Sequence, residues 1–219
     1  TKPPMMSRGG GIYPVENDQW VVTLGGVNKD FPPTDELGFM EFASSLRTPL
    51  LVEALEQAEP ISPIHGYQRT ENRLRHYEEL LALPEGLVVV GDAVCGFNPV
   101  YGQGMTAAAL GALHLDNCLR QTPDATDFSL RFQKVLAQSN QTPWLMATGE
   151  DFRWPNTEGP RPKVTMGTRF VHSYLDEITE LIVHEPAVLD TFYKVAHLVK
   201  SPLALFQPAL AGRVLRRKL

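Results

Sequence analysis

The chain has 219 residues, 43% of them apolar and 21% charged, with a net charge of −5. This length and apolar content provide for one large or two small folded domains, and the acidic balance argues against a general nucleic-acid role. The two cysteines, Cys95 and Cys118, have neither metal nor redox spacing and no disulfide framework, and no apolar run approaches the roughly 18 residues of a membrane span.

Gly11–Val15 and Trp20–Leu24 flank the polar turn Glu16-Asn17-Asp18 and predict a β-hairpin. Thr34 precedes Asp35 and Glu36, and the stripe Leu37, Met40, Ala43 and Leu46 then predicts an N-capped amphipathic helix. Thr48-Pro49 opens a second helix running to Ala58. Ile61 to Arg69 is expected as a strand at an edge or bulge, because Pro63 has no N–H for a ladder. Pro84-Glu85-Gly86 turns into Leu87-Val88-Val89-Val90, a short β-branched run that reads as a buried strand. Later in the chain, Phe128, Phe132, Val135 and Leu136 lie at helical spacing, and Pro143-Trp144-Leu145 starts a further helix. Pro155 to Pro162 is a loop, Thr165 to His184 and Pro186 to Lys200 are helices, and a last helix fills part of Pro202 to Leu219.

The most informative stretch is Gly91 to Thr106, GDAVCGFNPVYGQGMT. Gly91-Asp92 places a small residue and a carboxylate where the expected strand leaves its sheet. A loop punctuated by Pro99 and Gly102 follows, and a helix opens near Gly104 with Ala107, Ala108, Ala109, Gly111 and Ala112 in its first turns. Ligands of open α/β sheets collect at the carboxyl ends of strands, and helix N-termini present free N–H groups and positive partial charge. An acceptor for hydroxyls, a close approach and an electropositive helix end suit a polyhydroxylated, electron-rich ligand such as flavin. The structural alternative is a buried strand leading into a tightly packed helix, with Asp92 as a turn residue.

This segment resembles the second FAD-binding motif of flavoprotein monooxygenases of the para-hydroxybenzoate hydroxylase type: Gly-Asp-Ala, a variable loop with Pro, then Gly-x-Gly and a small-residue helix. The resemblance implies that Asp92 hydrogen-bonds the ribityl chain and that Pro99 lies near the reactive edge of the isoalloxazine. It also implies that amides around Gly102, Gly104 and Met105 face the pyrimidine edge. With Gly91, Gln103 and Thr106, these are the candidate cofactor-binding residues. The implied activity uses FAD, NAD(P)H and oxygen to hydroxylate or epoxidise an organic substrate. The implied fold is α/β (an α+β fragment), part of a FAD/NAD(P)-binding flavoprotein fold. Its divisions are a substrate-domain portion over 1–83, the second half of the FAD-binding domain over 84–140, and a helical region over 141–219.

Many members of that family carry His four residues after the motif's first Gly, where this chain has Cys95. Related reductases of isoprenoid chains vary there, so an FAD-dependent isoprenoid-chain reductase or dehydrogenase is an alternative. A non-catalytic remnant or partner subunit is the alternative from another class. Cys95 itself reads as a packing residue, since no sequence-adjacent base activates it.

Gly102-Gln103-Gly104-Met105-Thr106-Ala107 also fits Gly-x-Gly-x-x-Gly/Ala, but it follows no strand directly. The required strand-end acid is also missing, for Thr122 to Thr126 reads as a turn and helix start. No dinucleotide fingerprint precedes residue 86: Gly9-Gly10-Gly11 is followed by Pro14 and Val15 where a helix would begin, and Gly25-Gly26 closes a strand. The resemblance therefore implies a missing N-terminal half carrying the ADP site as the expected partner, the chain reading as the C-terminal portion of such an enzyme. The absence of a signal-peptide pattern and the cysteine usage give a cytoplasmic location as the expectation.

Among the polar clusters, Arg69 to Tyr77 carries three arginines and His76, and Arg73 is the candidate for a substrate carboxylate or a pyrophosphate. A solvated turn with ion pairs to Glu71, Glu78 and Glu79 is the competing reading. His65, His114, His172, His184 and His197 are scattered without metal-ligand spacing, and no metal is expected. Ala147 to Pro155 is dense in aromatics and charge and reads as a cavity wall or a capped helix end. Gly212 to Leu219 is a basic amphipathic tail, read as a helix end with positive charge at its C-terminus.

Overall fold

The computed structural model describes residue 3 and residues 5–68, 70–121 and 126–218. The described chain is mostly helical, with two small two-stranded antiparallel sheets. It divides into two compact units, residues 1–70 with 149–159, and residues 71–148 with 160–219.

In the first unit, β1 (Arg8–Val15) and β2 (Gln19–Gly26) form the expected hairpin, one pairing Ile12 with Val22. Asn17 and Asp18 at its tip are both left-handed (φ 62° and 55°), a conformation their short polar side chains tolerate. Helix α1 (Glu36–Ser44) is capped by Asp35, whose carboxylate accepts the Gly38 N–H at 2.8 Å. The cap thus falls one residue after Thr34, on the side chain that reaches the third helical amide. Helix α2 (Leu50–Glu56) follows directly after Pro49. The Arg8 guanidinium lies over the Phe42 ring and donates to both Asp30 carboxylate oxygens, at 2.6 and 2.8 Å. That fork ties β1 to the segment between β2 and α1. Residues 61–68 are irregular, so the expected strand does not form there, and Arg69 lies outside the described residues. Pro63 leaves a gap in any ladder, and no neighbouring strand offers a partner among the described residues.

In the second unit, β3 (Arg73–Leu74) pairs with β4 (Cys95–Gly96). Helix α3 spans Gly104–Gln121 and α4 spans Phe128–Asp151, the last turn of α4 belonging to the first unit. The expected break at Pro143 does not occur. Pro143 is fully buried within α4, and its burial offsets the loss of the backbone hydrogen bond that proline cannot make. Helix α5 (Met166–Leu181) opens with a reciprocal cap between Thr165 and Thr168. Helices α6 (Pro186–Ala196) and α7 (Pro208–Lys218) complete the chain, with a 3-10 turn at Pro202–Phe206 between them. Two apolar clusters result. One joins Phe132, Leu136 and Ala147 of α4 to Ala107 of α3 and to Val94, Cys95 and Phe97. The other joins α5, α6 and α7 around Ile178, Val188, Val195 and Val214, with the Tyr174 hydroxyl donating to the Leu205 carbonyl at 2.7 Å.

The Leu87–Val90 run is not in a sheet among the described residues. Val90 is extended (φ −137°, ψ 165°), and Val88 and Val89 pack against the α3–α4 core. The Val89 carbonyl accepts from the buried Gln133 side chain at 2.8 Å. A strand requires a neighbour as well as strand-forming residues, and here a side-chain amide occupies the carbonyl that a ladder would use. The expected turn and helix start at Thr122–Ala125 lies outside the described residues.

Candidate functional site

Gly91-Asp92-Ala93 forms a single 3-10 turn, closed by the Val94 N–H to the Gly91 carbonyl at 2.9 Å. Gly91 is left-handed (φ 58°), which lets the chain reverse from the extended Val90. Asn98 then caps a second 3-10 turn, Pro99–Tyr101, by accepting the Val100 N–H. Gly102, again left-handed (φ 65°), delivers the chain to α3.

These two reversals bring Asp92 to the start of α3. A Cβ placed on Gly104 would sit 4.0 Å from Asp92 Oδ1, while one on Gly102 would meet nothing within 4 Å. An exposed carboxylate therefore stands beside the first turn of an 18-residue helix, next to open space. The amides of that turn carry the positive end of the helix dipole.

The remaining expected site residues fall into two groups. Pro99, Gly102 and Met105 are exposed, Met105 to 88%, and Gly91, Gly104 and Thr106 are half-buried, all on the loop or the first turn of α3. The Gln103 side chain turns the other way. It is 3% exposed and its Nε2 donates to the Ala196 carbonyl at 3.3 Å, so it anchors the start of α3 to the end of α6. Its backbone carbonyl accepts from Ala107.

Cys95 is buried beneath the motif, and burial, reinforced by the Asp92 charge, pushes its thiol up to about 12. A thiol held neutral in this way packs and does not attack.

Arg73 is half-exposed on β3 and pairs with Glu71. The arginine that reaches the motif is Arg75, which donates through Nη1 to the Ala93 carbonyl at 3.0 Å. Residues two apart on an extended segment share a face, so alternation does not separate Arg73 from Arg75, and nothing in the arginine spacing announced which of them reaches the loop. Asn72, which received no role from the sequence, accepts the Asn98 N–H at 2.7 Å.

The other clusters lie apart from this loop. His76, Glu78 and Glu79 bring three potential ligand atoms within 4.8 Å of one another on a tight turn, where His76 Nδ1 lies 2.7 Å from Glu78 Oε1. A search for helical metal spacing overlooks such an arrangement. His114 Nε2 lies 3.1 Å from Ser139 Oγ, linking α3 to α4. In the 147–155 segment, Arg153 pairs with Glu150 at 2.9 Å and Trp154 is 3% exposed. On the basic tail, Arg213 pairs with Glu185, and Arg217 lies near Glu177 and Glu180, at 3.8 and 3.9 Å. Leu181, Glu185, Arg213, Arg216 and Arg217 border a surface depression there. No helix among the described residues is long and apolar enough to cross a membrane.

No family model matches the chain. It is similar to Protein Rv3254 of Mycobacterium tuberculosis strain H37Rv, with 29% identity over 216 residues, covering 97% of this chain and 45% of that protein. The chain thus spans less than half the length of this relative.

Proposed function

We propose that this chain carries the flavin-side portion of an FAD-dependent oxidoreductase of the monooxygenase type. The observation that supports the reading is the placement of the Asp92 carboxylate beside the first turn of α3, across a loop reversed at Gly91 and Gly102. The residues present fit the group. The carboxylate accepts hydrogen bonds from sugar-alcohol hydroxyls, the helix end favours an electron-rich ring edge, and the lack of side chains at Gly102 and Gly104 leaves room for close approach.

In this reading Asp92 holds the ribityl chain, and the amides at Gly104 and Met105 favour negative charge on the ring. The bound flavin supplies the redox chemistry, with NAD(P)H as electron donor and oxygen as the second substrate. No side chain then has to act as a nucleophile, in keeping with the neutral thiol of Cys95. Gln103 contributes backbone alone, because its side chain is buried with Nε2 bonded to the Ala196 carbonyl. Flavin-side contacts without a dinucleotide fingerprint make a weak FAD site, so the remaining portion of the flavoprotein fold belongs to the same proposal as the partner.

Fluorescence titration of FAD with the purified chain and with Asp92→Ala tests the reading. Loss of one charge-assisted hydrogen bond, worth about 1.5–3 kcal/mol, corresponds to roughly a ten- to hundredfold fall in affinity. Saturable binding by the parent and this loss in the variant are expected. Equal affinity in the two would make Asp92 a turn residue and overturn the assignment.

A further inference from the structure

Residues 72–75 run antiparallel to residues 93–98 and bond to them along their length. Asn72 Oδ1 accepts the Asn98 N–H at 2.7 Å. Arg73 and Leu74 pair through the backbone with Gly96 and Cys95. The Arg75 N–H donates to the Val94 carbonyl at 2.9 Å, and Arg75 Nη1 donates to the Ala93 carbonyl at 3.0 Å. A ladder of two residue pairs is too short to hold a loop by itself, so the side-chain bonds at its two ends carry much of the restraint.

Each end leads directly into the candidate site. The carbonyl held by Arg75 belongs to the residue after Asp92. The amide held by Asn72 belongs to Asn98, whose own side chain caps the Pro99–Tyr101 turn through the Val100 N–H. The Gly102 N–H closes that turn on the Pro99 carbonyl at 3.0 Å, and α3 starts two residues later. A shift at Ala93 therefore moves Asp92, and a shift at Asn98 moves Pro99 and Gly102.

We infer that Asn72 and Arg75 are positioning residues for the flavin site, Arg75 fixing the Asp92 end of the motif loop and Asn72 fixing its Pro99–Gly102 end. The separation of the ribityl-holding carboxylate from the ring-facing loop is then set by β3. The inference rests on the flavin reading for the identity of the ligand, while the restraint of the loop stands on the hydrogen bonds alone. Both anchors bind backbone groups, so their effect does not depend on which side chains occupy the loop.

The test combines amide hydrogen exchange with FAD titration for the parent, Asn72→Ala, Asn72→Asp, Arg75→Ala and Arg75→Lys. Tyr174→Phe, which removes a single hydrogen bond in the α5–α7 core, serves as the control for a loss of stability elsewhere. Asn72→Ala is expected to speed exchange at Asn98, Val100 and Gly102 by about tenfold, the worth of one hydrogen bond, and Asn72→Asp to restore protection because its oxygen accepts the same N–H. Arg75→Ala is expected to speed exchange at Val94, the amide that closes the Asp92 turn, and Arg75→Lys to restore it in part, having one donor head in place of a planar fork. FAD affinity falls about tenfold in each alanine variant, again the worth of one hydrogen bond, and stays at the parent value in Tyr174→Phe. Unchanged exchange at these amides in both alanine variants overturns the restraint. Faster exchange with unchanged FAD affinity overturns the positioning role. A parent chain that binds no FAD, yet shows the exchange pattern, overturns the flavin reading and leaves the restraint standing.

Discussion

Cys95 and Asp92 are near neighbours with opposite fates, and solvent separates them. Asp92 is exposed at the turn, whereas Cys95 is 3% exposed in β4 and its thiol is pushed from 9.0 up to about 12. Burial disfavours the thiolate, and the adjacent carboxylate adds to the effect. The linkage follows directly: below pH 9 the thiol is protonated in both folded and unfolded chains, and between about 9 and 12 only the unfolded chain ionises. Folding stability is therefore expected to fall across that interval in the parent and less in Cys95→Ala, as denaturant titrations at pH 8 and pH 10 would read. Iodoacetamide at pH 8 is expected to modify the half-buried Cys118 well before Cys95, and mass spectrometry of the native protein checks the order. The packing role of Cys95 was legible from the absence of an activating neighbour. The commitment of Gln103 was not, since its partner Ala196 lies 93 positions away, and a motif read in isolation does not reveal which of its side chains turn inward.

At the scale of elements, short-range signals carried the hairpin, the helix starts and the opening of α3 at Gly104. Turn residues, caps and small-residue runs act within a few positions, and their effect is visible in sequence. Beside the unformed strand at 61–68, two further failures, at Leu87–Val90 and Pro143, share a cause, because each outcome was decided by what packs alongside. Among the described residues the valine run has no strand neighbour, and it gives its Val89 carbonyl to Gln133, while Pro143 is buried within α4, which continues through it. Phe132, on the same helix, has no exposed surface and is packed with Val94, Cys95 and Ala107. Phe132→Ala is expected to cost about 3–5 kcal/mol of stability in urea unfolding, through lost burial and the cavity left behind. The same variant should disturb the loop above it, since the buried residues of β4 and the first turns of α3 share this cluster.

For the molecule as a whole, the division into two units places the entire motif, its β3 support and the α5–α7 core in the second unit. That division was not readable in sequence, because the first unit takes its last residues, 149–159, from beyond the motif. The valine run, which pairs with no strand among the described residues, bears on how the polypeptide behaves in solution. Leu87 and Val90 are 47% and 42% exposed on a segment, extended at Val90, that no strand covers among the described residues. Such a segment pairs readily with another like itself, and a net charge of −5 spread over 219 residues opposes this only weakly. The expected behaviour is reversible, concentration-dependent clustering that becomes stronger as added salt screens the charge. Val90→Lys places a gatekeeping cation on the exposed side of the run and should reduce light scattering at a given concentration without lowering the melting temperature. Scattering equal to that of the parent would show that the run is not the sticky surface. Reduced scattering in Val90→Lys, by contrast, would place the colloidal stability of this chain under the control of the same few residues that lead into its most informative motif.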